Sequence, residues 1–204
     1  MPAVRMNVVD AQDDSPLAGV LVLFRASASE GTWTGHGGRS VNLFVAEAVT
    51  SDAGDVHLPK QEFSAQPFFL NTNHDNPSMV MFKAGYVLVV LHNMQQDVST
   101  WQYNNQTIKM RRATTDDETF HALHFAADYA YRATGICSWK KIPSFLVTVD
   151  RSAAEWNRKR ASLPDEVLRR RTVTSPLERV LMNDGYYVEK GCGSPRTFFE
   201  LHRR

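Results

Sequence analysis

The chain has 204 residues, of which 43% are hydrophobic and 22% are charged, so it is long enough and apolar enough to bury a hydrophobic core. This composition argues against a disordered chain. The formal net charge of +1 argues against a whole-molecule field that would attract nucleic acid or an anionic membrane.

Hydrophobic residues predict β-strands through the first half of the chain. Val4, Met6 and Val8 alternate with polar neighbours, whereas residues 20–24 are apolar throughout and are expected to form a central strand. Further strands are predicted at 42–50, 56–58, 79–83, 86–92 and 107–110, with turn-forming residues between them. About seven short strands in this order indicate an antiparallel β-sandwich over residues 1–112.

The hydrophobic period after Arg112 becomes that of helices. Residues 115–118 form a capping box for a helix that is predicted to end at Gly135, with an apolar stripe of Phe120, Leu123, Ala127 and Tyr131. Further helices are predicted at about 144–162, 164–170 and 175–185, the last with a second capping box at 175–178. A returning hairpin is predicted from 186–188 and 197–201. Residues 113–204 are therefore expected to form a small helical extension packed on the sandwich, which gives an α+β fold.

The two cysteines, Cys137 and Cys192, each lie in a loop just outside a predicted helix. An even count without Cys-x-x-Cys spacing argues against zinc and redox motifs and favours a disulfide, with two unrelated thiols as the alternative. A disulfide implies an oxidising compartment, so a periplasmic or cell-envelope location is expected, with a leader absent from this chain. No apolar run approaches the roughly 20 residues that span a bilayer, so the protein is not expected to be membrane-spanning.

Four segments of the first half occur in a suggestive order. They are 8–10 (Val-Val-Asp), 15–22 (Ser-Pro-Leu-Ala-Gly-Val-Leu-Val), 48–56 (Ala-Val-Thr-Ser-Asp-Ala-Gly-Asp-Val) and 81–86 (Met-Phe-Lys-Ala-Gly-Tyr). Together they resemble the carboxypeptidase regulatory-like domain, a transthyretin-like β-sandwich family, over roughly residues 4–92. The resemblance implies a non-enzymatic scaffold or binding module, here of the bacterial envelope type with a helical C-terminal extension. The long loop 27–40 and the insert 61–77 depart from the family pattern.

The sequence contains no motif that we recognise as catalytic. Neither a nucleophile elbow nor a phosphate-binding loop is present, and Asn7 stands where related transthyretin-like hydrolases carry a histidine. His121, His124 and Asp128 have a spacing that can hold a metal on a helix, but a hydrogen-bonded histidine and an Asp128–Arg132 ion pair are favoured. No catalytic residue, no metal and no cofactor are predicted.

Candidate binding residues lie in the two long loops. They are Trp33, His36, Phe68, Phe69, His74 and Asp75. The aromatic residues among them are expected to anchor a partner, with core packing as the alternative for Phe68 and Phe69. His74 and Asp75 could bind calcium or a sugar, although a solvated turn is favoured.

The basic stretch from Lys140 to Arg171 is interleaved with acids rather than with aromatic residues, which favours a solvated helix face over a nucleic-acid site. The leading hypothesis is a non-catalytic binding or structural protein of the bacterial cell envelope whose partner is another protein. Its narrower form is an inhibitor, such as an immunity protein against a toxin delivered to the periplasm. The alternatives are a hydrolase with an unrecognised His/Asp site and a glycan-binding module that displays Trp33, Trp101 and Tyr103.

Overall fold

A computed structural model describes residues 3–30, 40–60, 70–71, 77–93, 101–135 and 137–202. The chain divides into two compact units, which we call the sheet unit and the helical unit. The sheet unit comprises Met1–Met81 and Val89–Arg111. The helical unit comprises Phe82–Leu88 and Arg112–Arg204. The predicted α+β fold class is confirmed.

The described residues form eight strands in two sheets. They are β1 (Val4–Asp10), β2 (Leu21–Glu30), β3 (Ser40–Val49), β4 (Asp55–Leu58), β5 (Leu70–Asn71), β6 (Ser78–Phe82), β7 (Val89–His92) and β8 (Gln106–Met110). One sheet has the order β4-β1-β8, and the other has the order β3-β2-β6-β7, with β5 paired to β2. Strands β1 and β8 run parallel, whereas β1–β4, β2–β3, β2–β5 and β6–β7 are antiparallel. The two-sheet architecture that the sequence predicts is thus present, and β5 is the strand that no pattern predicted.

Strand β2 occupies the central position that its continuous apolar run predicts. It lies between β3 and β6 in the larger sheet. Its first half is buried on both faces, and the side chains of Leu23 and Phe24 are almost fully inaccessible to solvent. A strand that buries both faces needs apolar residues at every position rather than at alternate ones.

A group of hydrogen bonds joins strand β1 to the segments 17–20 and 50–54 of the sheet unit. The Val8 N–H donates to the carbonyl oxygen of Gly54 at 2.8 Å, and the Leu17 N–H donates to the carbonyl oxygen of Val8 at 2.9 Å. The Thr50 hydroxyl donates to the Leu17 carbonyl at 2.6 Å and accepts from the Val20 N–H at 2.9 Å. Three of the four segments that resemble the regulatory-like domain, 8–10, 15–22 and 48–56, therefore meet in space, which explains why small and turn-forming residues are needed there.

The described residues of the helical unit form six α-helices. They are α1 (Asp116–Ala133), α2 (Pro143–Lys159), α3 (Glu166–Arg170), α4 (Pro176–Met182), α5 (Asp184–Glu189) and α6 (Pro195–His202). The predicted N-caps are confirmed, since the Thr115 hydroxyl accepts from the Glu118 N–H and the Ser175 hydroxyl accepts from the Glu178 N–H. None of the helices in the described ranges is long and apolar enough to cross a membrane.

The predicted returning hairpin at 186–188 and 197–201 is wrong, because both segments are helical. The Ser194 hydroxyl accepts from the Thr197 N–H at 3.2 Å and thereby caps α6. The Asp184 carboxylate accepts from the Arg196 N–H and from the Ser194 hydroxyl, and these two hydrogen bonds hold the pKa of Asp184 below its usual range. Side-chain capping at the start of α6 therefore favours a helix at 197–201, where the aromatic residues alone suggested a strand.

Gly54 has a positive φ of 77°, and a Cβ atom there would lie 2.4 Å from the Val8 carbonyl oxygen. We predict that Gly54→Ala lowers the free energy of unfolding by more than the roughly 1–3 kcal/mol of backbone strain alone, because a backbone atom blocks the added methyl group. Gly85→Ala is the matched control, since Gly85 has a φ of 82° and nothing within 4 Å of its Cβ position. Urea denaturation followed by circular dichroism measures both losses, and equal losses would contradict the steric argument.

Candidate functional site

The six binding residues predicted from the sequence lie outside the described residues. They are Trp33, His36, Phe68, Phe69, His74 and Asp75. Their role as a contact surface therefore stays a prediction.

Two aromatic residues of the glycan-binding alternative, Trp101 and Tyr103, are described, and their geometry argues against that alternative. Trp101 is only 5% exposed, and its ring meets the Phe24 ring edge-on with centroids 5.3 Å apart. The Tyr103 ring is tilted by 56° from the Trp101 ring rather than coplanar with it. A sugar needs an exposed ring face to stack on, and Trp101 does not offer one.

Cys137 and Cys192 form the predicted disulfide. Their Cα atoms are 5.1 Å apart, which lies within the usual range for a disulfide. Cys137 follows α1 in the turn that leads to α2, and Cys192 follows α5. The bond therefore ties the α1–α2 connection to the C-terminal helices, and it is consistent with an extracytoplasmic location.

An aromatic cluster packs beside the disulfide. Trp139 is fully buried, and its ring centroid lies 5.9 Å from that of Tyr187, 5.2 Å from that of Phe198 and 5.8 Å from that of Phe199. Burial raises the pKa of Tyr187, while a hydrogen bond with Thr134 acts in the opposite direction. This corner of the helical unit is a packed core that the disulfide closes.

A cavity of about 280 Å³ opens on another side of the helical unit, and we call it the α1–α2 cavity. Its lining residues are Phe82, Ala84, Gly85, Tyr86, Thr119, Ala122, Leu123, Ser152, Glu155, Trp156 and Lys159. The aromatic and aliphatic members are buried, apart from the exposed Ala84, whereas Glu155 and Lys159 are exposed. The cavity therefore has an apolar floor and a polar, charged rim, which is the usual character of a binding pocket.

Each wall of the α1–α2 cavity has an identifiable origin. The Ala113 N–H donates to the Gly85 carbonyl oxygen at 2.8 Å, and Tyr86 forms a β-bridge with Arg112, so the 82–88 segment is fixed beside the start of α1. On α2, the Trp156 indole N–H donates to the Arg171 carbonyl oxygen at 3.1 Å. These bonds fix the backbone of one wall and the orientation of an aromatic ring in the other.

The two charged groups at the rim differ in their surroundings. The Lys159 ammonium lies 2.5 Å from a carboxylate oxygen of Asp116 and so forms an ion pair. Glu155 lies one helical turn before Lys159, is exposed, and forms no ion pair within the described ranges. The Glu155 carboxylate is therefore the lining charge that lacks a counter-charge in the described part of the chain.

The histidines on α1 do not converge on a metal site. The His121 Nε2 atom lies 3.5 Å from Asp117 Oδ2 and 3.5 Å from Arg171 Nη1, so a cation at that point would meet a guanidinium group. His124 is exposed and stacks on the Phe120 ring at 5.4 Å. Within the described ranges, no three His, Cys, Asp or Glu side chains are placed to hold a metal ion.

Helix α1 has an ion pair and a buried face that the sequence predicted with different success. The predicted ion pair between Asp128 and Arg132 is confirmed at 2.8 Å. The predicted apolar stripe is partly wrong, because Tyr131 is 42% exposed while the small residues Ala126, Ala130 and Ala133 are buried. Alanine lets helices approach closely, so the buried face of α1 includes these alanines beside the buried Phe120 and Leu123.

Four arginines at the end of the basic stretch bind other groups of the chain. Arg160 donates to the carbonyl oxygen of Arg169, and Arg169 donates to the carbonyl oxygen of Leu163. Arg170 pairs with Glu166, and Arg171 pairs with Asp117. These four arginines therefore hold other parts of their own chain, and the absence of a nucleic-acid site in this stretch stays a prediction.

Comparisons with known proteins add remote structural similarity. No model of a known protein family matches the chain, and no curated protein matches it. Among solved structures, the chain is similar to the pilus 2b backbone protein of group B streptococcus, with a TM-score of 0.30 and 10% identity. The match covers 55% of this chain and 42% of the pilus protein. A TM-score this low supports no inference about function.

Loss of the disulfide should destabilise the helical unit. The bond closes a sequence separation of 55 residues, so its removal is expected to cost about 4 kcal/mol in the chain-entropy model. We predict that reductant lowers the urea midpoint of the wild-type chain, whereas a Cys137→Ser/Cys192→Ser variant starts from the lower midpoint and does not respond to reductant. A wild-type midpoint that is insensitive to complete reduction would contradict the assigned role of the bond.

Proposed function

We propose that this chain is a non-catalytic binding protein of an extracytoplasmic compartment and that its α1–α2 cavity receives an apolar group from a protein partner. The observation that carries the proposal is the cavity itself, about 280 Å³ in volume, with an apolar floor formed by residues such as Phe82, Leu123 and Trp156. Its size suits a single large side chain rather than an extended polymer.

The energetics of such a cavity suit the anchor of a protein interface. Moving a large apolar side chain from water into an apolar site contributes about 1.5–3 kcal/mol. Protein interfaces concentrate their binding energy in a few such anchors, which fill pockets and exclude water. The rim residues Thr119, Ser152 and Glu155 provide polar groups around the anchor. This combination supports a binding role.

The disulfide supports the proposed compartment. Structural disulfides form and persist in secreted, surface and periplasmic proteins and are rare in the cytosol. The bacterial periplasm or cell envelope is the specific location that we propose. An inhibitor, for instance an immunity protein against a toxin delivered to the periplasm, is the narrower form of the same proposal, and identification of a toxin domain as the partner would support it.

We also propose that the sheet unit is a carboxypeptidase regulatory-like domain. The support is that three of the four segments behind the resemblance meet in one hydrogen-bonded group, in which Val8 contacts both Gly54 and Leu17. A family of non-enzymatic sandwiches is in keeping with a binding role for the whole chain.

A substitution that fills the α1–α2 cavity tests the proposed function. Ala122 lines the cavity, and Ala122→Leu adds three carbon atoms to an apolar space that can hold them. We predict that this variant is as stable as the wild type, or more stable by about 0.5–2 kcal/mol, because filling an apolar cavity adds packing contacts. We also predict that it no longer retains the partner.

The measurement is affinity purification of the tagged full chain from the native envelope fraction. Ala154→Leu is the matched control, since Ala154 is exposed on α2 and does not line the cavity. A stoichiometric protein retained by the wild type and the control but lost with Ala122→Leu would support the proposal. Equal retention by all three, or no stoichiometric protein at all, would contradict it.

A further inference from the structure

We infer that the α1–α2 cavity receives an aromatic or aliphatic side chain of the partner that lies next to a lysine or arginine, so that the apolar side chain enters the cavity and the positive charge stays at its mouth. This inference rests on the proposed function and specifies the chemistry of the partner. It follows from the charges at the rim, from the aromatic rings in the lining and from the position of the charge at the mouth.

The rim charges favour a cation over an anion. Lys159 could attract an anion, but its ammonium group is bound to Asp116 at 2.5 Å. Glu155 has no ion pair among the described residues, so its carboxylate is free to accept from an incoming ammonium or guanidinium group. Such a charge-assisted hydrogen bond is stronger than one between neutral groups.

The aromatic lining acts in the same direction. Phe82, Tyr86 and Trp156 all line the cavity, and an aromatic ring attracts cations through the negative potential of its faces. The Arg112 guanidinium group already lies over the Tyr86 ring, 5.7 Å from its centroid, so Phe82 and Trp156 are the rings that we assign to a ligand's cation. The indole N–H of Trp156 is a group that could bind an anion, but it already donates to the Arg171 carbonyl oxygen. The lining therefore offers favourable contacts to a cation. It does not offer the Trp156 indole N–H to an anion, because that group is already hydrogen-bonded.

The position of the Glu155 carboxylate at the rim favours a protein segment as the ligand. The floor is apolar and buried, whereas Glu155 is exposed at the rim. A ligand matched to this arrangement places its apolar part inside and its positive charge at the mouth. Neighbouring residues on a protein surface do this when an apolar side chain enters the cavity and the adjacent lysine or arginine stays in contact with water.

Three probes of similar shape and different charge test the inference: phenethylammonium, 2-phenylethanol and 3-phenylpropionate. Each is titrated into the full chain and followed by calorimetry or NMR. We expect phenethylammonium to bind about twofold to fivefold more tightly than the neutral alcohol, as an exposed ion pair allows, and phenylpropionate to bind most weakly. Added salt should reduce the difference between the cation and the alcohol.

Glu155→Gln should remove the preference for the cation and leave the affinity for the alcohol unchanged. Glu189→Gln is the matched control, because Glu189 is exposed on α5 and does not line the cavity. With the natural partner, Glu155→Lys should abolish retention, whereas Glu189→Lys should preserve it. Retention of the partner by Glu155→Lys would overturn the inference.

The probes also separate failure of this inference from failure of the proposed function. Equal binding of all three probes to the wild type, lost in Ala122→Leu, would overturn the charge preference and leave the cavity as a binding site. Binding of none of the probes would overturn both, because an accessible apolar cavity must accept the neutral alcohol. Tighter binding of phenylpropionate would overturn the charge preference alone.

Discussion

The attachment of the 82–88 segment to the start of α1 is the constraint on which the binding site depends. The hydrogen bond from Ala113 to Gly85 and the bridge between Tyr86 and Arg112 fix this segment in the helical unit. Gly85 adopts a φ of 82°, which a residue with a side chain adopts only under strain. Since Phe82 and Tyr86 are thereby held opposite residues of α1 and α2, the groove between these two helices becomes a walled cavity.

The rest of the helical unit holds its helices in place. The disulfide between Cys137 and Cys192 links the α1–α2 connection to the C-terminal helices, and the buried Trp139 packs against aromatic rings of those helices. A covalent bond and an aromatic core thus limit the conformations open to a small helical unit. Binding to a cavity that is formed in advance costs less conformational entropy than binding to one that must first be ordered.

Sequence signals succeed where they are local and fail where residues distant in sequence act together. The caps at Thr115 and Ser175 were predictable because each depends on a hydroxyl group and an N–H three residues later. The hairpin at 186–188 and 197–201 was a wrong prediction because aromatic residues occur in strands and helices alike, and hydrogen bonds of Asp184 and Ser194 at the start of α6 favour the helix there. The cavity was not predicted because its floor joins Ala122 to Trp156 and to the 82–88 segment, whose proximity no sequence pattern encodes.

We expect the α1–α2 cavity to hold an apolar group whose neighbouring positive charge lies beside Glu155. Intermolecular nuclear Overhauser effects test this most directly. With phenethylammonium bound to the full chain, the account predicts cross-peaks from the phenyl protons to the methyl groups of Ala122 and Leu123, and from the protons beside the ammonium group to Glu155. Cross-peaks confined to residues outside the cavity lining, or none at all at saturating probe, would contradict it.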